Sequence, residues 1–328
     1  MTFGEEWGFG ANKEESRKMF DAFAEAGGNF VDTANKYTNG TSEKFVGEFI
    51  RADREKFVLA TKYTLSMNPD DPNSSGNHRK NLVQSVEASL KRLDTEFIDL
   101  LWVHAWDQFT PVEEYMRALD DLVKTGKVFY VGISDAPAWI VSRANTLAEL
   151  RGWSHFVGIQ IKYNLLDRTP ERDLLPMAKA LDIGVTAWAP LGGGVLTGKY
   201  NRDSDDPKRY GPEDPFGKMM LNDRNLSIAA KVHQIAGKIG RTPSQVALKW
   251  LLQQRNQGVI IPIIGVRSET QLTDNMGCLE FDIDAKHLEE LDTLSRVELG
   301  FPHDFLEYEE IRSTVYGNTL SLIDNHRG

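Results

Sequence analysis

The chain has 328 residues, a formal net charge of −10 and one cysteine, Cys278. A lone cysteine excludes a disulfide framework within the chain and argues against a cysteine-built metal site. The acidic balance argues against a nucleic-acid or anionic-membrane surface, which needs a basic face. No apolar run is long enough to span a bilayer, and the polar start does not read as a secretory signal, so a cytoplasmic location is expected.

Helical and strand signals alternate along the chain. Residues 13–26 place Met19, Phe20, Phe23 and Ala26 on one helical face, and Gly27-Gly28 stops that helix. Residues 29–32 (NFVD) read as a short strand, and Ser42 opens a helix to about Arg51. FVLATK at 57–62 reads as a buried strand, and 80–93 as a helix with Leu82, Val86, Leu90 and Leu93 aligned. The alternation continues with strands over 97–104, 128–134, 156–161, 183–190 and 259–264. Helices are expected over 113–124, 137–150, 171–181, 224–239, 243–254 and 268–278. Residues 191–223, rich in Gly, Asp and Pro, read as a long functional loop, and 298–328 as a tail.

Strands alternating with helices imply parallel pairing through βαβ crossovers. Seven strands follow the start, and residues 1–4 add a fragment of another. The expected fold is an α/β (β/α)8 TIM barrel with a truncated first strand, spanning 1–328 as a single domain. An open doubly wound sheet is disfavoured because polar candidates fall at the ends of many strands rather than beside one crevice.

Four residues stand out by place. Asp32 ends NFVD, Tyr37 follows in DTANKY, Lys62 ends FVLATK and His104 ends FIDLLWVH. In a barrel all four converge on one face. Taken singly, each has a plainer use, as a helix cap, a packing ring, a solvated lysine or a core histidine. Jointly they match carbonyl reduction. A carbonyl receiving a hydride gains negative charge on oxygen. A phenol is a weak acid, with a free pKa of about 10, and a neighbouring ammonium is expected to lower that value. Asp32 would hold Lys62 charged, and His104 would donate a second hydrogen bond to the same oxygen.

The segments GGNFVDTANKYTNGTSE, FVLATKY, SLKRLDTEFIDLLWVHAWD, GKVFYVGISD, YNLLDRTPERDLLPMA and IPIIGVRSETQLTDN resemble the aldo-keto reductases in order and spacing, over nearly the whole chain. The resemblance implies a catalytic tetrad at Asp32, Tyr37, Lys62 and His104. It also implies reversible reduction of an aldehyde or ketone. Family members usually carry a hairpin and most of a first strand ahead of the segment resembling MTFGEEWGFG.

Local motifs favour no other nucleotide site. GFGANK at 8–13 lacks the last glycine of a dinucleotide fingerprint. GGVLTGKY at 193–200 nearly matches a phosphate loop, but Tyr200 stands where Ser or Thr must meet Mg²⁺. The resemblance instead implies nicotinamide contacts from Ser134, Asp135 and Gln160, with Asp135 replacing the commoner Asn. Trp188 would stack on the ring. Pro190, Leu191, Gly193, Leu196, Gly198 and Lys199 would cover the pyrophosphate. After the last strand come Gly265 and Arg267, then a helix whose N-terminus attracts phosphate. Arg267 can fork onto a ribose 2′-phosphate, and Gln271 and Asn275 match the adenine contacts. NADPH is therefore expected over NADH.

Trp7, Tyr63, Trp106 and Phe301 are the expected aromatic lining for a small carbonyl substrate. Two other readings remain open. One is a Schiff-base lyase using Lys62. The other is an NADPH-binding regulatory subunit, as in the potassium-channel β subunits that resemble this family.

Overall fold

A computed structural model describes residues 1–201, 208–211 and 213–324 of the chain. Residues 202–207 and 212 of the expected loop, and 325–328 of the expected tail, lie outside the described residues.

The first half follows the expected alternation. Helix α1 (Lys13–Glu25) starts at Asn12, whose side chain accepts the Glu15 N–H. Then come β1 (Phe30–Asp32), α2 (Thr41–Ile50), β2 (Val58–Tyr63), α3 (Arg79–Leu93), β3 (Ile98–Val103) and α4 (Val112–Lys124). The second half contains β4 (Val128–Ser134), α5 (Ala138–Arg151), β5 (Phe156–Lys162), α6 (Leu174–Ala180) and β6 (Gly184–Trp188). Within the expected loop, residues 192–197 form a 3-10 turn and α7 (Pro215–Met220) a short helix. Helices α8 (Asp223–Ile239) and α9 (Pro243–Leu252) precede β7 (Ile260–Pro262) and α10 (Glu269–Met276). Thr242 and Gln245 form a reciprocal capping box at the start of α9.

The seven strands form one parallel sheet in chain order. The curled sheet with helices outside it is an α/β fold of the (β/α)8-barrel type. Among the described residues β1 and β7 are its two edges. The fragment at residues 1–4 does not extend the sheet. Phe3 and Gly4 bridge to Ala11 instead, and Thr38 Oγ1 donates to the Phe3 carbonyl at 2.8 Å. Phe3 packs beside Ala11, Val266 and Leu272, against the segments that flank the two edges.

The sheet sorts side chains by parity. One set, including Leu59, Tyr63, Leu101, Val103, Ile133 and Ile159, joins the helices in the main apolar core. The opposite set turns inward, where Ala60, Leu100 and Trp102 pack together. Trp102 fills room left by two glycines. A Cβ on Gly132 would fall 2.4 Å from its ring, and one on Gly158 would fall 2.9 Å away. Burying a large apolar side chain of this kind contributes about 1.5–3 kcal/mol.

Among the described residues three further α-helices follow α10. Helix α11 (Ala285–Ser295) is capped by Asp284 and held by Arg168, whose Nη1 donates to Ser295 Oγ at 2.9 Å. Its cue is present in the sequence, as a capping Asp284 ahead of Leu288 and Leu291 at helical spacing. Helices α12 (His303–Glu307) and α13 (Glu309–Tyr316) bury no residue.

Candidate active site

The strand ends bring the four candidates together. Asp32 closes β1, Lys62 is the penultimate residue of β2, and His104 follows β3. Lys62 is 0% exposed and forms an ion pair with Asp32, and its Nζ also donates to the Thr33 carbonyl at 2.7 Å. Tyr37 lies in a tight turn in which Thr38 and Asn39 take left-handed backbone (φ 46° and 54°). That turn folds its ring back over the strand ends, with its centroid 4.7 Å from Lys62 Nζ. The His104 ring meets Tyr37 edge-on, at 5.7 Å between centroids.

The electrostatics differ from the sequence expectation in one sign. Burial raises the Tyr37 phenol above its ordinary pKa of 10.0, and the opposing pull of Lys62 does not overcome it. Tyr37 is therefore held as a neutral phenol, the form that can give a proton. Burial alone would lower the pKa of Lys62, but Asp32 and Tyr37 outweigh it, and the net shift is upward. A lysine held as ammonium is a poor nucleophile, which removes the support for the Schiff-base reading. Burial, with Lys62 nearby, pushes His104 down from 6.5 to about 3, so its ring is neutral at ordinary pH. Its Nδ1 is buried without a partner among the described residues. An unpaired acceptor there is less costly than an unpaired N–H, which puts the proton on Nε2.

Behind His104 lies a polar network with no sequence forecast. The His104 N–H donates to Thr64 Oγ1 at 3.2 Å, and that hydroxyl donates to Asn77 Oδ1 at 2.8 Å. The Asn77 N–H donates to Asp107 Oδ2 at 2.7 Å. Burial would raise the Asp107 carboxyl, but hydrogen bonds from Thr110, Asn77 and Phe109 hold it below the usual range. Thr64 has φ +94°, an outlier for a β-branched residue that costs of order 1–3 kcal/mol.

A second group lies at the ends of β4 to β6. Ser134 Oγ donates to the Gln160 carbonyl at 2.8 Å, and Gln160 Nε2 donates to Asp32 Oδ1 at 3.0 Å. Asp135 Oδ1 accepts the Trp188 indole N–H at 3.0 Å.

The model of the aldo/keto reductase family matches residues 1–296. The chain belongs to the aldo/keto reductase family. It is 37% identical to the norsolorinic acid reductase of Emericella nidulans, over 93% of this chain and 79% of that protein. It is 35% identical to a probable aryl-alcohol dehydrogenase of Saccharomyces cerevisiae, over 90% of this chain and 92% of that one. With the NADP(+) aryl-alcohol dehydrogenase of Phanerodontia chrysosporium it shares 34% identity, over 92% and 83% of the respective chains. The chain is thus an oxidoreductase, and aldo/keto reductases use a nicotinamide cofactor.

The reductase's own residues fit such a group. Helix α10 opens at Ser268, whose Oγ accepts the Gln271 N–H at 3.3 Å. Its first-turn N–H on Glu269 already donates to a carboxylate oxygen of Glu15 at 3.1 Å, so this helix end accommodates an anion. Arg267 is exposed beside it, and its N–H donates to Gln271 Oε1 at 3.0 Å. Asn275 is buried on the same helix, and Gly265 is exposed after β7. In the strip after β6, Pro190, Leu196 and Gly198 are buried and Leu191 is half-buried. Gly193 (φ +64°) is closely covered by Tyr210, whose hydroxyl would stand 2.3 Å from a Cβ built there. Lys199 Nζ lies 5.8 Å from the Tyr200 ring.

The four aromatic candidates separate. Trp7 meets the Tyr37 ring edge-on at 6.2 Å and so borders the tetrad. Trp106 is half-buried and packs edge-on against Trp139 at 5.8 Å. Tyr63 does not line this mouth. Its side chain is on the outward face of β2, 1% exposed in the helix-facing core, with its hydroxyl donating to the Asn77 carbonyl at 3.3 Å. Phe301 is 84% exposed and packs on Phe305 at 5.9 Å within the tail. Among the described residues, no helix is long and apolar enough to cross a membrane.

Proposed function

We propose that this reductase converts an aromatic aldehyde or ketone to its alcohol at the expense of NADPH, with Tyr37 giving a proton to the carbonyl oxygen. The reading is carried by one observation: a buried ammonium, Lys62, stands 4.7 Å from the ring of a half-buried phenol that also borders His104.

NADPH supplies the hydride, and the chain's residues manage the charge that follows. Tyr37 passes its phenolic proton to the carbonyl oxygen as negative charge builds there. The adjoining Lys62 ammonium stabilises the phenolate left behind, and Asp32 keeps Lys62 charged and aimed. His104 directs Nε2–H at the same oxygen, so two donors orient the carbonyl. Ser134, Asp135 and Gln160 would hold the carboxamide, and Trp188 the ring face. The strip from Pro190 to Lys199 would lie along the pyrophosphate, with Arg267, Gln271 and Asn275 at the adenosine end. Arg267 beside an anion-accepting helix end favours the 2′-phosphate of NADPH over NADH. The aromatic preference draws on Trp7 and Trp106 and on relatives named for aryl alcohols and norsolorinic acid. Residues 1–328 would act as one barrel unit, in the cytoplasm, where the free Cys278 stays reduced.

The test is a cofactor-oxidation screen over aldehydes, ketones and sugars, with NADPH and NADH in parallel. Aromatic carbonyls with NADPH are expected to give the highest kcat/KM. Tyr37→Phe is expected to lower turnover by roughly 10²–10⁴-fold while NADPH still binds. Unchanged turnover in that variant ends the assignment of Tyr37.

A further inference from the structure

His104 must present Nε2–H to one point, yet its other ring nitrogen has nothing to grip. Among the described residues Nδ1 is buried without a partner, and none of them aims the ring through it. The tether is on the main chain instead, where the His104 N–H donates to Thr64 Oγ1 at 3.2 Å. We infer that Thr64 is a positioning residue for His104, and that the network from Thr64 through Asn77 to Asp107 clamps it in register with Tyr37. This inference rests on the reductase reading above.

Two features separate this arrangement from ordinary loop packing. The first is direction. The Thr64 hydroxyl has one hydrogen and gives it to Asn77 Oδ1 at 2.8 Å, which leaves a lone pair facing the His104 N–H. The second is closure. The Thr64 carbonyl accepts the Gly76 N–H at 2.8 Å, and the next residue, Asn77, donates its N–H to Asp107 Oδ2 at 2.7 Å. Asp107 is pinned in turn by the N–H groups of Phe109 and Thr110, at 3.0 and 2.9 Å. Gly76 makes the approach possible. It has φ +80°, and a Cβ there would come within 3.0 Å of Asp107 Oδ2. Three segments are thereby fixed to one another: the end of β2, residues 76–78 and the turn after β3.

The bond to His104 also gives the unusual backbone of Thr64 a use. With φ +94° just past Tyr63, Thr64 carries its buried hydroxyl to the backbone amide of His104, the residue that follows β3. A strained residue that the surroundings over-determine is a recurrent mark of a functional site.

The experiment compares Thr64→Val, which keeps the shape and loses the hydroxyl, with Thr64→Ser, which keeps the hydroxyl. In Thr64→Val, kcat with an aromatic aldehyde is expected to fall ~10–100-fold, the penalty of a small misplacement, with NADPH binding unchanged. The deuterium isotope effect on kcat, read with NADPH labelled at the transferred hydrogen, should rise as hydride transfer becomes rate-limiting. A loss of folded enzyme alone would not move that ratio. Thr64→Ser should restore both values to near the parent's. Parental kcat and isotope effect in Thr64→Val, or no recovery in Thr64→Ser, overturns the inference. If Thr64→Val does not fold, Asn77→Ala takes its place, since it removes the acceptor that orients the Thr64 hydroxyl. The same two readings at parental values in that variant reject the clamp. Tyr37→Phe run alongside keeps the two claims apart. An active Tyr37→Phe ends the assignment of Tyr37 as proton donor, whereas a dead Tyr37→Phe beside a fully active Thr64→Val sinks only the role of Thr64.

Discussion

Lys62 and Tyr63 are neighbours on β2, and both are all but shut from water, at 0% and 1% exposure. Their surroundings are opposite. Lys62 points into the barrel mouth, where Asp32 and the Thr33 carbonyl hold its charge. Tyr63 points into the shell between sheet and helices, among apolar side chains, with one hydrogen bond to Asn77. Burial thus has two meanings in this molecule. In the shell it is the source of stability. At the mouth it disfavours charge, and that cost is what keeps Tyr37 a phenol and His104 an uncharged ring.

The comparison can be broken most sharply at Lys62. Lys62→Met is expected to lower turnover by roughly 10²–10⁴-fold and, by leaving Asp32 unpaired, to cost about 3–5 kcal/mol in a urea titration. Adding Asp32→Asn should recover most of the stability and none of the turnover. Recovery of turnover would mean that the ion pair serves only the fold. Next in size, Tyr63→Ala should cost about 3–5 kcal/mol through the cavity it leaves, with kcat and KM per folded molecule unchanged. A raised KM for aromatic substrates would return Tyr63 to the substrate site.

A smaller effect is read against pH. His104 titrates at about 3 when folded, against 6.5 ordinarily, so the unfolded chain binds its proton first. The stability contributed by neutral burial of His104 is present above about 6.5 and is lost as pH falls toward 3. Denaturation midpoints across that window should fall less steeply in His104→Phe than in the parent. Smallest of all, Phe301→Ala should change stability by less than about 0.5 kcal/mol and leave KM alone, because the ring is exposed in a tail with no buried residue among those described. A clear rise in KM would place the tail over the bound substrate.

Much of the fold and the core of the site can be read from residue order. The run of apolar strand signals broken by amphipathic helices dictates a parallel sheet with helices outside. Because Asp32, Lys62 and His104 fall at or beside the C-terminal ends of successive strands, their convergence follows from that topology without coordinates. The cap at Asp284 and the leucines after it are equally legible as the start of α11, a helix absent from the expected alternation.

What needed the tertiary structure has a common physical cause: it depends on depth, or on which face a strand presents. Tyr63 follows Lys62 within β2, so strand alternation turns it to the opposite face; what the structure adds is that β2 runs on through Tyr63 instead of ending at Lys62. The sign of the shift at Tyr37 is a contest between an adjoining charge and lost solvent, and only the packed ring says which is larger. Thr64 carries no local mark of its left-handed backbone, which is imposed by partners at Gly76, Asn77 and His104. Residue order determined which chemical groups meet. Packing decided how dry their meeting place is, and therefore which protons they hold.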